Sequence, residues 1–123
     1  MTIKIFIYIV TSVFLSALAQ ISLKIGMMKF KLVAEHAETL IQKSWLIATN
    51  IYVLTGLSLY VLGMIVWLVV LTNVDVSKAY PFVGMGFIFT MMLAHFILGE
   101  QIGLVRVIGV VQIIIGVILI SRS

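Results

Sequence analysis

Residues 47–71 read IATNIYVLTGLSLYVLGMIVWLVVL, a long run without a single charged side chain. Because a bilayer core of about 30 Å needs roughly 20 apolar residues per helix, this run predicts a membrane-spanning helix. Three further runs, at about 3–26, 79–98 and 103–121, have similar length and composition. The sequence therefore predicts an all-α membrane protein, in which residues 1–123 form a single domain of four transmembrane helices.

The overall composition supports the same class and excludes others. Hydrophobic residues make up 63% of the chain and charged residues only 10%, which leaves too little polar surface for a soluble domain. The chain has no cysteine, so disulfides, thiolate metal sites and cysteine nucleophiles are excluded. No nucleophile–base pair or metal-ligand cluster can be assembled from the spacing of the remaining residues. We therefore expect no enzyme activity, no metal and no cofactor.

The formal net charge of +4 has an explanation other than nucleic acid. The basic residues lie mainly at the ends of the predicted spans, where lipid headgroups and loop orientation account for them. We therefore expect membrane lipids as partners and no DNA or RNA.

The segment between the first two spans has an amphipathic pattern. Charged and polar residues there fall largely between a second set that recurs at helical spacing. This second set is Leu32, Val33, His36, Ala37, Leu40 and Ile41. This pattern predicts a helix over about 30–44 that lies in the membrane interface, with Trp45 at headgroup level. A plain surface helix and a substrate gate are both compatible with the pattern.

Polar residues recur every four positions in the first span, at Ser12, Ser16, Gln20 and Lys24. Such side chains form one slowly drifting stripe on a helix. The stripe has two interpretations. It either packs against another helix through hydrogen bonds, or it lines a cavity in which Lys24 holds an anion. None of the four predicted spans carries an Asp or Glu near its middle, where a proton-coupled transporter usually places an ionisable group.

The third span begins with Ser77, Lys78, Ala79, Tyr80 and Pro81. If Ser77 caps this helix, Pro81 falls in or just after the first turn, where its missing N–H group costs least. A helix start beside Lys78 suits a phosphate or a carboxylate, although ordinary capping explains the same residues.

Glycines follow in both of the last two spans. Gly84 and Gly86 predict either close helix packing or a bend. In the fourth span Gly109 and Gly116 are seven residues apart and share a face, which predicts a helix contact surface, our candidate for a dimer seam. Because four helices are too few to enclose a polar route through a bilayer, we expect a dimer, either of identical chains or with a similar four-span subunit.

These residues carry a resemblance to a known group of proteins. Residues 75–82, the glycines after them, Leu98-Gly99-Glu100 and the fourth-span glycine pair resemble the last two spans of the drug/metabolite transporter superfamily. Its four-span members are the small multidrug resistance proteins and the subunits of the aminoarabinose-phosphoundecaprenol flippase. The essential glutamate of the drug exporters falls at Ser16 here, and their substrate-stacking tryptophan falls at Val83. The Ser-x-x-x-Gln-x-x-x-Lys pattern is more similar to the flippase subunits.

The resemblance implies transport of a polyprenyl-phosphate-linked sugar, or a similar anionic lipid, across a bacterial inner membrane. The residues compatible with this role are Lys24 and Lys78 for the phosphate, and Ser16, Gln20, Tyr60 and Tyr80 for the sugar. Two alternatives remain open at the level of sequence. One is a small-cation or multidrug exporter, and the other is a non-transporting accessory subunit of a membrane glycosyltransferase.

Overall fold

The computed structural model describes residues 2–123 and is all-helical in that range apart from short connections. Its helices are α1 (Ile3–Val33), α2 (Leu40–Thr49), α3 (Ile51–Leu71), α4 (Val76–Leu98) and α5 (Leu104–Ser121). Within the described residues, α1, α3, α4 and α5 are each long and apolar enough to cross a membrane. The predicted all-α fold with four helices that could span a membrane is therefore confirmed, and the chain is a multi-pass membrane protein with four candidate spans.

The closest helix pair is α1 with α3, and glycines make it possible. A Cβ atom added to Gly56 would lie 2.8 Å from the Leu23 Cγ atom. One added to Gly26 would lie 2.9 Å from the Val53 Cγ2 atom. Small residues let membrane helices approach closely, because no strong hydrophobic force drives association within lipid. Glycine at these two positions therefore allows α1 and α3 to pack closely.

All four long helices meet in one apolar cluster. Its buried members come from α1, α3, α4 and α5, and they are Ile9, Val13, Val70, Ala79, Phe82 and Val117. These positions lie near the start of α1 and α4 and near the end of α3 and α5. The cluster thus lies toward the side of the bundle that carries the chain termini, which we call the terminal side.

Helix α4 is irregular in its first half. It is α-helical, then 3₁₀-helical, then α-helical again, over Val76–Ala79, Tyr80–Gly84 and Met85–Leu98. Pro81 has no N–H group to donate to the Ser77 carbonyl, and its ring crowds that carbonyl, so the helix tightens there. The expectation that Ser77 caps this helix was wrong. The N-cap is Asp75, whose carbonyl accepts from the Ala79 N–H at 2.9 Å, so helical backbone begins before Ser77.

The connection between α1 and α3 also differs from expectation. The predicted helix over about 30–44 does not form as one element, since α1 continues to Val33 and a 3₁₀ turn, Ala34–His36, follows. Thr39 is extended and starts α2 with a capping box. Its hydroxyl accepts from the Gln42 N–H at 3.2 Å, while the Gln42 side chain accepts from the Thr39 N–H at 3.4 Å. These two bonds stabilise a new helix start in the middle of the predicted helix.

The four glycines of α4 and α5 fall into two kinds. A Cβ on Gly84 would lie 2.8 Å from the Ile113 Cγ2 atom, and one on Gly86 would lie 3.2 Å from the Val13 Cγ1 atom. Both positions are at helix contacts. A Cβ on Gly109 or Gly116 would meet nothing within 4 Å. The glycine face of α5 is therefore open within a single chain.

Candidate functional site

A cavity of about 300 Å³ lies between α1, α3 and α4. Its polar and aromatic lining consists of Ser12, Ser16, Gln20, Tyr60, Trp67, Tyr80, Phe87 and Thr90. Four of the six residues that the sequence predicts as substrate-binding are thus brought together: Ser16, Gln20, Tyr60 and Tyr80. Val83, in the 3₁₀ segment of α4, and Gly86, just after it, also line this space.

A hydrogen bond connects α1 and α3 at this cavity. The Gln20 side-chain amide donates to the Tyr60 hydroxyl oxygen. The bond leaves the Gln20 side-chain carbonyl free to accept and the Tyr60 hydroxyl proton free to donate. A sugar presents hydroxyl groups that match both. The pair therefore offers complementary donor and acceptor groups on neighbouring helices.

The polar stripe of α1 takes part both in helix packing and in the lining of the cavity. Ser12 is buried, and its hydroxyl donates to the Gly63 carbonyl of α3 at 2.7 Å. Ser16 lies one turn further, and its hydroxyl donates to the Ser12 carbonyl of its own helix at 3.1 Å. Helix packing therefore accounts for the Ser12 hydroxyl, while Ser16 and Gln20 line the cavity.

Replacing Ser12 with alanine is expected to destabilise the α1–α3 pair by about 0.6–2 kcal/mol, because one interhelical hydrogen bond is lost. The thermal unfolding temperature of the purified protein in detergent would show the change. Thr11→Ala is the matched control, since the Thr11 hydroxyl is exposed and donates at 2.8 Å only to the Ile7 carbonyl of its own helix. Equal unfolding temperatures for the two variants would contradict the assigned role of Ser12.

The two predicted phosphate ligands do not line the cavity but flank it along the bundle. Lys24 is exposed and lies one turn beyond Gln20, toward the side that carries the α1–α2 connection. Lys78 is half-buried and precedes Tyr80 by two residues, toward the terminal side. A third lysine, Lys29, has its amino group 4.7 Å from the centre of the Tyr52 ring. Lys24 therefore lies beyond one end of the cavity and Lys78 beyond the other.

Sequence reasoning missed several residues of the cavity. Trp67, Phe87 and Thr90 line it but were not singled out. Helical periodicity could have found the two aromatic residues, since Trp67 is seven residues after Tyr60 and Phe87 is seven after Tyr80, which places each pair on one helix face. The candidate residues were selected mainly for their polar groups, so Trp67 and Phe87 were not among them.

The charge of the cavity follows from its lining. No residue that lines it is acidic or basic. Within residues 2–123 there is also no group of three or more His, Cys, Asp or Glu side chains that could hold a metal ion. The cavity can therefore recognise hydroxyl groups and apolar or aromatic surfaces, but it offers no fixed counter-charge.

Comparison with known proteins adds a family to this geometry. The model of the EamA-like transporter family matches residues 2–122. The chain belongs to the EamA-like transporter family. This membership confirms the resemblance to the drug/metabolite transporter superfamily, and it identifies the protein as a transporter rather than an enzyme.

Individual relatives within the EamA-like family have more specific names. The chain is 32% identical, over 96% of its own length and 92% of the relative, to the probable 4-amino-4-deoxy-L-arabinose-phosphoundecaprenol flippase subunit ArnF of Proteus mirabilis. It is 48% identical, over 55% of its length and 65% of the relative, to the probable subunit ArnE of Enterobacter sp. strain 638. The ArnE of Pseudomonas fluorescens is 43% identical over 50% of this chain and 54% of the relative. No solved structure matches the chain.

Proposed function

We propose that this chain is a flippase subunit that moves an undecaprenyl-phosphate-linked amino sugar between the leaflets of a bacterial inner membrane. The observation that carries the proposal is the cavity lining, which offers hydroxyl, amide and aromatic groups at membrane depth and no carboxylate. The similarity to a relative named as an aminoarabinose-phosphoundecaprenol flippase subunit extends over almost the whole chain and supports the same substrate class.

The sugar would be held by Ser16, Gln20, Tyr60 and Tyr80. Three of these carry hydroxyl groups, and Gln20 adds an amide, so donors and acceptors are both available to sugar hydroxyls. The prenyl chain can stay in the surrounding lipid, because a cavity of about 300 Å³ is suited to a headgroup rather than a long chain. With the prenyl chain in the lipid, the bundle needs no further apolar pocket.

The phosphate would be held by Lys24 near one membrane surface and by Lys78 near the other. An ammonium group donates charge-assisted hydrogen bonds to phosphate oxygens, which are stronger than neutral ones. The start of α4 contributes less than the sequence indicates, because the N-cap residue Asp75 places a carboxylate there. Lys78 is therefore the main candidate for the phosphate on the terminal side.

A multidrug-exporter role fits the cavity less well. Exchange of protons for a cationic drug needs a titrating group that also balances the drug's charge. The position that resembles the exporters' glutamate is Ser16, whose hydroxyl donates to the Ser12 carbonyl. The cavity therefore lacks the group on which that exchange depends.

The chain would act as a dimer. Its cavity is lined by only three helices and is not enclosed by the four helices of one chain. A Cβ added to Gly109 or Gly116 on α5 would meet nothing within 4 Å, and the face of these two glycines is our proposed seam. The relatives are named as two different subunits, ArnE and ArnF, which supports a heterodimer with a similar four-span subunit over a homodimer. Native mass spectrometry in nanodiscs would test this, and a monomer that still moves lipid would contradict it.

Helix α2 would lie in the membrane interface. No residue of it is buried in the chain, and Leu40, Ile41 and Trp45 are all largely exposed. Exposed apolar side chains beside Lys43 match a helix that rests at the headgroup boundary. Quenching of Trp45 fluorescence by lipids labelled at known depths would test its position.

Reconstitution tests the proposed function directly. Proteoliposomes that contain the chain, purified with the partner that accompanies it, would be loaded with undecaprenyl-phosphate-linked aminoarabinose in one leaflet. We expect the lipid to appear in the opposite leaflet faster than in protein-free liposomes. Absence of lipid movement combined with proton-driven uptake of a cationic drug would overturn the proposal.

A further inference from the structure

The cavity contains an aromatic arrangement that the flippase proposal does not yet use. Tyr60 and Trp67 lie seven residues apart on α3, Tyr80 and Phe87 lie seven apart on α4, and all four line the cavity. Because α3 and α4 run in opposite directions, Trp67 and Tyr80 both lie toward the terminal side. Two helices therefore present aromatic rings to the same space at the same depth.

An amino sugar creates a specific problem in this cavity. Its protonated amine is a cation, and transferring a cation from water to a membrane interior is unfavourable without a compensating partner. None of the residues that line the cavity is acidic, so no carboxylate pairs with the amine there. The face of an aromatic ring, and that of tryptophan above all, attracts a cation without carrying a charge itself.

We propose that Trp67, with Tyr80, is the element that selects the protonated amine of the sugar headgroup. The inference rests on the proposed function and specifies which feature of the substrate the cavity recognises. The ammonium group binds against the indole ring, and the hydroxyl groups of the sugar are left to the polar side chains of the cavity lining. The neutral derivative of the sugar lacks this attraction and is transported less well.

Trp67 is better suited to this role than the other rings of the chain. Within residues 2–123, the close ring pairs are Phe6 with Phe82, Phe14 with Phe89 and His95 with Phe96, so the indole of Trp67 is not stacked on another ring. Tyr60 is already engaged by Gln20. Trp67 also packs partly against the buried apolar cluster, which restricts its motion while it lines the cavity.

A tryptophan near the end of a span also has an ordinary role as an anchor at the membrane interface. The two roles differ in one measurable respect. An anchor affects the stability or the tilt of α3 and treats all substrates alike. A residue that binds the ammonium group changes the ratio of transport rates between charged and neutral headgroups.

The test compares transport of the amino sugar lipid with that of its N-acetyl form, which has no positive charge, in the same proteoliposomes. We expect the unmodified protein to favour the amine by about tenfold, equivalent to about 1.4 kcal/mol. Trp67→Leu should bring the ratio close to one, and Trp67→Phe should leave an intermediate ratio. Trp45→Leu is the matched control, since Trp45 lies on α2 outside the cavity, and it should keep the full ratio.

A second variant keeps the test decisive if Trp67→Leu fails to fold. Tyr80 is 63% exposed, so Tyr80→Leu removes a cavity ring without disturbing the core, and it should lower the same ratio. An unchanged ratio in Trp67→Phe and Tyr80→Leu would overturn the inference. If the unmodified protein moves neither lipid, the proposed function itself fails, and if it moves both equally, only the selection of the amine fails.

Discussion

Replacing Gly56 with leucine is expected to separate α1 from α3 and to lower the stability of the folded chain by about 1–3 kcal/mol, the usual range for overpacking. Even a Cβ at this position would lie 2.8 Å from the Leu23 Cγ atom and 3.1 Å from the Ala19 carbonyl oxygen. The carbonyl oxygen belongs to the backbone of α1 and cannot move away without moving the helix. The thermal unfolding temperature in detergent measures the loss directly.

Gly116→Leu is the matched control for this experiment, because it adds the same side chain to a transmembrane glycine with no neighbour within 4 Å. We expect it to leave the unfolding temperature of the monomer unchanged and to weaken the proposed dimer in native mass spectrometry. An unfolding temperature for Gly56→Leu equal to that of the unmodified protein would contradict the assigned packing of α1 on α3.

The sequence was sufficient for the number and type of the long helices. Hydropathy depends on composition averaged over about twenty residues, so the runs that include Ile9, Val53, Ala94 and Val117 identify spans without any tertiary information. Helix pairing is a different problem. Gly56 and Gly63 have neighbours on α1 because the two helices pack together there. Hydropathy does not show which helices pack against each other.

The predicted helix boundaries were wrong where local hydrogen bonds to the backbone compete with hydrophobic periodicity. The apolar pattern over 30–44 is helical throughout, yet Thr39 and Gln42 form a capping box that starts a new helix at Leu40. That box is visible in the sequence as a Thr with a Gln three residues later, and it was overlooked. The start of α4 could not be decided in the same way, since both Asp75 and Ser77 are good N-cap residues.

The candidate site was predictable in its polar part. The four-residue spacing of the α1 stripe led to Ser16 and Gln20, and the family resemblance led to Tyr60 and Tyr80. The aromatic part was not found, because Trp67 in a hydrophobic span has the same appearance whether it faces lipid or a cavity. Its seven-residue spacing from Tyr60 was the available signal, and the placement of α3 against α1 and α4 shows that this face lines a cavity.

Replacing Lys24 with alanine is expected to reduce lipid movement by roughly tenfold or more while leaving the chain folded. A hydrogen bond to a charged group contributes about 1.5–3 kcal/mol, and each 1.4 kcal/mol is a factor of ten. Lys24 is exposed, so we expect the effect to fall on transport rather than on folding. The transport assay in proteoliposomes, together with the unfolding temperature of the variant, separates the two.

Lys31→Ala is the appropriate control, since Lys31 is an exposed lysine on the same helix and the same side of the membrane, but it lies about two turns beyond Lys24 and away from the cavity. Both variants remove one positive charge from the same side, so any effect of charge on membrane orientation is shared by them. Loss of transport in both variants would indicate a general effect of surface charge, and unchanged transport in Lys24→Ala would remove this residue from the phosphate site. Loss in Lys24→Ala alone, with Lys24→Arg partly active, is the result expected if a phosphate is bound beside Gln20.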